Sequence, residues 1–148
     1  HRVAAEAHRA AAAALRDVEA RECAGISDAD RDRSPFSHRE DIISVTDLTM
    51  MVTTDELGGE PRLLGARILL RPVPGLTVEW LERVIACHIA RNRVLGHDVP
   101  EMSYCPLVPR GASATVRTTD AGLAVDVRAD TDTAIAEVVR RARALLLP

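Results

Sequence analysis

Five residues able to bind metal or act as nucleophiles or bases crowd into one stretch of this sequence. Cys87, His88, His97, Met102 and Cys105 span nineteen positions, with His38 upstream and Cys23 further still. Thiolate, imidazole and thioether are the soft donors that suit copper, and the first two also suit zinc. The spacing fits no established metal loop. There is no C-x2-C, and the order His97–Met102–Cys105 reverses that of a blue-copper loop. A copper or zinc centre drawn from Cys87, His88, His97, Met102, Cys105 and His38 is therefore the alternative expectation. The first is that ordinary partners use every residue. Cys87 and Cys105 then close a disulfide around a Pro-containing loop, which contributes about 3 kcal/mol in the chain-entropy model. His88 bonds Asn92 or a backbone carbonyl inside the core, His97 and Met102 decorate the loop, and Cys23 is left over.

A small thiol enzyme comes third. Neighbouring residues on a helix point about 100° apart, so Cys87 and His88 cannot themselves form a dyad. The sequence holds no Gly-rich phosphate loop, nucleophile elbow or H-E-x-x-H, and so names no catalytic residues. The expectation is a protein without catalysis and without a resident cofactor.

The elements that must position these residues follow from periodicity. Thr77 suits the N-cap of a central helix, Glu79 and Glu82 suit its positive start, Arg91 and Arg93 its end, and Gly96 the left-handed closing position. Val78, Leu81, Val84, Ile85, His88, Ile89, Asn92 and Leu95 share one stripe, which predicts His88 and Asn92 as polar residues inside an apolar core. Cys87 falls on the flank beside Trp80 and Arg91.

Before that helix, residues 2–23 are alanine-rich, with high helix propensity but only Val3, Leu15 and Val18 as large apolar residues. We expect residues 1–25 to form a stalk or lid helix, and residues 26–148 to form a single α+β domain. The helix could also meet a partner protein or a copy of itself. Asp28, Asp30, Asp32 and Ser34 imitate the start of a calcium loop, but Arg33 and Arg39 occupy its Gly and Glu positions. A turn capped by Ser27 explains the same residues.

From Ile42 to Thr54 the pattern is that of a strand, its apolar phase slipping near Thr46-Asp47 as a bulge would make it. Residues 55–61 read as a turn and Leu64 to Pro72 as the next strand. Ala114 and Val116, then Leu123, Val125 and Val127, mark a second hairpin turning at Thr119–Gly122. Asp130 or Asp132 caps a last helix with the stripe Ile135, Val138, Val139, Ala142, Leu145 and Leu146. The order α-ββ-α-ββ-α predicts a four-stranded, mainly antiparallel sheet with two helices on one face. Arg67, Arg71, Arg117, Asp126 and Arg128 fall on the other face.

The totals exclude some partners. The 148 residues carry a formal charge of −3, all 19 basic residues are arginine, and Phe, Trp and Tyr occur once each. Without a basic cluster or an aromatic platform, nucleic acid is not expected. No apolar run reaches the ~20 residues of a membrane span. The sequence starts at His1, which we read as a mature or trimmed product with any signal peptide or lipid anchor upstream. A disulfide would place it outside the cytoplasm.

The alanine-rich lead-in ending at Cys23, the stretch from Ser34 to Asp41, Cys87-His88 and Cys105-Pro106 together carry a resemblance. The chain resembles the uncharacterised lipoprotein-type envelope domains of GC-rich bacteria. That resemblance implies an exported, periplasmic or envelope location and an α+β fold, and no activity.

Overall fold

Two β-hairpins join into one antiparallel sheet. Their strands are β1 (Ile42–Asp55), β2 (Gly58–Leu70), β3 (Ser113–Thr119) and β4 (Gly122–Arg128), in the spatial order β1-β2-β4-β3. Four helices accompany them: α1 (Arg2–Glu22), the short α2 (Asp28–Arg31), α3 (Val78–Val94) and α4 (Asp132–Ala144). The computed structural model describes residues 1–55 and 58–148. The α+β architecture and the α-ββ-α-ββ-α order match the expectation from periodicity.

Register shows which side chains share a face. Ala66, Ile68 and Leu70 lie opposite Val127, Val125 and Leu123, and Val116 lies opposite Val125. These inner-face residues are buried together with Leu81 and Ile85 of α3 and Ile135, Val138, Val139 and Ala142 of α4. Helices α3 and α4 therefore cover the same side of the sheet, each contributing an apolar stripe.

The helix ends are sequence-local. Thr77 accepts a hydrogen bond from the Trp80 N–H at 3.1 Å, satisfying one of the unpaired amides at the start of α3. At its other end the Gly96 N–H reaches Arg93 O and the His97 N–H reaches Asn92 O, the paired closure of a Schellman turn. Thr131, rather than Asp130 or Asp132, caps α4 by accepting from the Ala134 N–H. It stands between the two aspartates in extended conformation, where a hydroxyl can reach the third amide. Leu146 lies beyond the end of α4 and is exposed, so it leaves the predicted stripe.

The first hairpin departs most from its prediction. The segment expected to turn at 55–61 is largely strand: β2 begins at Gly58 and carries Pro61 opposite Met51, while Glu56 and Leu57 lie outside the described residues. Pro is tolerated there because β4 pairs with β2 only from Gly65 to Leu70, leaving Pro61 with no second neighbour to donate to. No bulge sits at Thr46-Asp47. Register instead shifts between Ile42 and Ser44, between Leu48 and Thr49, and between Thr53 and Asp55. The apparent phase slip has another cause: Val45 faces the core opposite Ile68, whereas Leu48 is buried on the outer face opposite Gly65.

Gly65 and Gly122 are required by close packing. A Cβ on Gly65 would stand 1.8 Å from Val127 O, and one on Gly122 would stand 1.9 Å from Leu70 O. Both contacts are with backbone of the adjoining strand, which cannot yield as a flexible side chain can.

Candidate functional site: the cysteine and histidine centre

The cysteine pairing differs from the one expected. Cys23, at the end of α1, is bonded to Cys87 of α3, with an S–S distance of 2.01 Å and a Cα–Cα distance of 4.9 Å. Cys105 is a free, buried thiol. Proximity in sequence favoured Cys87–Cys105, but α3 has two sides. Leu81 and Ile85 face the sheet, whereas Val84 and Cys87 face Cys23 and Ile26, with Trp80 packed alongside. The loop carrying Cys105 passes on the sheet side, in the main core.

Around the disulfide, α3 holds the backbone of the segment that follows α1. Arg83 donates to Ala24 O, and Arg91 donates to Arg31 O. His88 Nε2 lies 2.9 Å from Asp30 O, and Arg31 itself donates to Cys23 O at 3.1 Å. Four carbonyls that belong to no long helix or strand thereby find donors. Glu19 of α1 completes the arrangement, 3.2 Å from Arg91 and 3.5 Å from Arg31, and Asp32 lies 3.3 Å from Arg91. The covalent bond and this ionic lattice fasten α1 and α2 to α3.

His88 is buried, as its stripe position predicted, with 1% of its surface exposed. Burial first, and Arg91 in addition, hold its pKa below the ordinary histidine value, while the hydrogen bond to Asp30 O opposes this. The neutral imidazole then carries its proton on Nε2 and donates it to Asp30 O. Asn92 is also buried, but its amide reaches Leu107 O at 3.5 Å rather than His88. One helical turn separates the two side chains, and each is drawn to a different chain segment crossing α3.

The remaining candidates disperse. Cys105 Sγ accepts a hydrogen bond from Ser34 Oγ at 3.0 Å, and burial pushes its thiol pKa up. A thiol so shielded is the opposite of an activated nucleophile. His97 takes a positive φ of 62° and its Nδ1 lies 3.0 Å from Val108 O. Met102 is buried in the core. His38 is exposed beside Glu40, at 3.3 Å. Cys87 is spent in the disulfide, so the six-residue soft-metal set is not brought together as drawn from the sequence. Among the described residues, no group of three or more His, Cys, Asp or Glu side chains could hold a metal ion. The calcium-like aspartates follow the capping reading, with Ser27 Oγ accepting from the Asp30 N–H.

Sequence reasoning missed Cys23 as the bonding partner. A signal existed: Val18, Cys23 and Ile26 are the apolar residues around the end of α1, and all three are buried.

The outer face of the sheet is the second candidate. Its rows across β1, β2, β4 and β3 run Ser44–Leu69–Ala124–Arg117, then Thr46–Arg67–Asp126–Thr115, then Leu48–Gly65–Arg128–Ser113. Arg67 grips the buried Asp126 with two parallel bonds of 2.7 and 2.9 Å. That pairing, with Arg117 and Arg128 close enough to add their fields, holds the Asp126 carboxyl below the usual carboxylate range. Arg117 and Arg128 are exposed. Arg71, predicted on this face, lies past the end of β2 and pairs with Asp41.

These features define an α+β domain clasped by a disulfide, with α3 and α4 packed on one face of the sheet. Comparison with protein-family models, curated proteins and solved structures finds no match. Among the described residues, no helix is long and apolar enough to cross a membrane.

Proposed function

We propose that this chain is a non-catalytic interaction module of the cell envelope, exported from the cytoplasm, which offers its bare sheet face to an acidic stretch of a partner protein. The observation that carries the reading is the arginine arrangement on that face. Asp126 is occupied by Arg67, which leaves Arg117 and Arg128 exposed in the rows on either side of Arg67–Asp126–Thr115, each beside a small residue of the next strand, Ala124 and Gly65 respectively. Exposed guanidinium groups on a rigid sheet present fork-shaped donors to carboxylates at little ordering cost. The Cys23–Cys87 disulfide is compatible with an oxidising, extracytoplasmic compartment. A lipid anchor upstream of His1 would hold the module at a membrane and belongs to the same proposal.

An NMR titration with poly-L-glutamate tests the surface. Amide shifts are expected at Arg67, Thr115, Arg117 and Arg128, weakening with added salt and abolished by Arg117→Glu with Arg128→Glu. Shifts elsewhere, or shifts that survive the charge reversal, would refute this face as the binding surface. Location is tested separately by alkylating thiols in acid-quenched cells. One modifiable thiol in the denatured, unreduced protein is expected; three would exclude the oxidising compartment.

A further inference from the structure

The free edge of β1 points to a second copy of this chain. β1 stands at the margin of the sheet and pairs only with β2. The positions of the register shifts matter here. Between Ile42 and Ser44 the extra residue is Ile43, and between Thr53 and Asp55 it is Thr54, both on β1. Between Leu48 and Thr49 the extra residue is Leu64, on β2. The run Ser44–Thr53 is therefore unbroken strand on the side that faces outward.

Natural edge strands are blunted by proline, charged or inward-pointing side chains, bulges or brevity. Within this run there is no proline and no bulge, and Asp47, on the helix-covered face, is its single charge. Asp47 is already matched by Arg143 of α4 at 2.7 Å. Three of the large apolar residues left exposed by the fold belong to the same strand: Ile43 at 50%, Met50 at 49% and Met51 at 65%. An edge this long, apolar and regular is a pairing surface.

We infer that two copies pair through β1, antiparallel about a two-fold axis, into a continuous eight-stranded sheet. Geometry narrows the register. Residues directly opposite in a sheet share a face, so a symmetric pairing must centre on one residue meeting its own copy. Centring on Asp47 would oppose like charges. Centring on Thr49 would set Met51 against Asp47 of the second copy. Centring on Leu48 sets Met51 against Val45 on the inner face and Met50 against Thr46 on the outer face. It uses Ser44–Val52, a ladder of about nine backbone hydrogen bonds, close to the roughly ten of a standard protein interface. The helices of both copies remain on one side of the joined sheet. This inference does not depend on the proposed acidic partner.

Sedimentation equilibrium of the oxidised protein tests it. The expected mass is twice the 16.0 kDa of the chain, falling to one chain in Met50→Lys with Met51→Lys. Both methionines are largely exposed, so the variant should keep the circular dichroism spectrum of the wild type. Met51→Lys alone serves as a milder second variant and should weaken association measurably. Val3→Glu, on the exposed part of α1, should leave the dimer intact. A wild type that stays at one chain overturns the inference. So does a dimer untouched by both lysine variants, or one lost in Val3→Glu, which would place the contact on α1.

Discussion

Removing the Cys23–Cys87 bond should cost the domain about 4 kcal/mol, because the bond closes a segment 64 residues long in sequence and loop-closure entropy grows with the logarithm of that length. For a domain of this size each kcal/mol moves the melting temperature by about 2–4 °C, so a drop of roughly 8–16 °C is expected. Both cysteines are fully buried, so Cys23→Ala with Cys87→Ala adds a small packing loss to the entropic one. The assay is differential scanning calorimetry of wild type, of that double variant, and of Cys105→Ala. Cys105→Ala keeps the disulfide and loses a thiol with the hydrogen bonds it accepts from Ser34 and from the Leu107 and Val108 amides. It should therefore fall by less than half as much. The comparison also separates the two possible pairings. Had Cys87 been joined to Cys105, Cys105→Ala would carry the large loss and Cys23→Ala a minor one. A double variant melting within about 2 °C of wild type would refute the reasoning, since by the same scale it would place the bond's contribution at about 1 kcal/mol or less.

Other outcomes follow from single contacts. His88→Ala should cost about 2–4 kcal/mol through its cavity and the orphaned Asp30 carbonyl, measured by urea unfolding. Because burial lowers the folded pKa of His88, the unfolded chain binds the extra proton. Stability contributed by the neutral ring is complete above about pH 6.5 and declines as pH falls through the lower folded value. Urea midpoints across pH 5 to 8 should show that slope in wild type and a shallower one in His88→Ala. Gly65→Ala forces a methyl group onto Val127 O and should destabilise by more than about 3 kcal/mol or prevent soluble expression. Deleting residues 1–14, all exposed, should move the melting temperature by no more than about 2 °C.

Periodicity carried most of the fold because the core is built from uninterrupted stripes. Ile135, Val138, Val139 and Ala142 can only be satisfied by an inner sheet face, and Val125 and Val127 supply it. Periodicity failed in the first hairpin, where Gly58, Gly59 and Pro61 carry the residue signature of a turn. They are strand because β1 runs alongside and no third strand demands their hydrogen bonds. The burial of His88 was legible, since one angle on a helical wheel decides it. A backbone carbonyl was one of its two expected partners, but which carbonyl was not legible: Asp30 lies 58 residues away, and the disulfide together with Arg83 and Arg91 brings that backbone to α3. The bond itself joins two segments whose nearness depends on how α1 folds back. Sequence distance is a poor guide to such a contact.

The sulfur bridge also decides how tension would run through the molecule. A pull on the far end of α1 travels down the helix to Cys23 and crosses directly to Cys87, the tenth residue of α3. Residues 24–86 hang from that crossing as a covalently closed bight, outside the covalent path of the load. Both strands of the longer hairpin lie inside it. Beyond the bond, α3 past Cys87, the second hairpin and α4 remain in series with the force. While the bond is oxidised, a stretched chain can surrender α4, β3 and β4 to extension but cannot pay out the strand whose open edge is offered to a second copy.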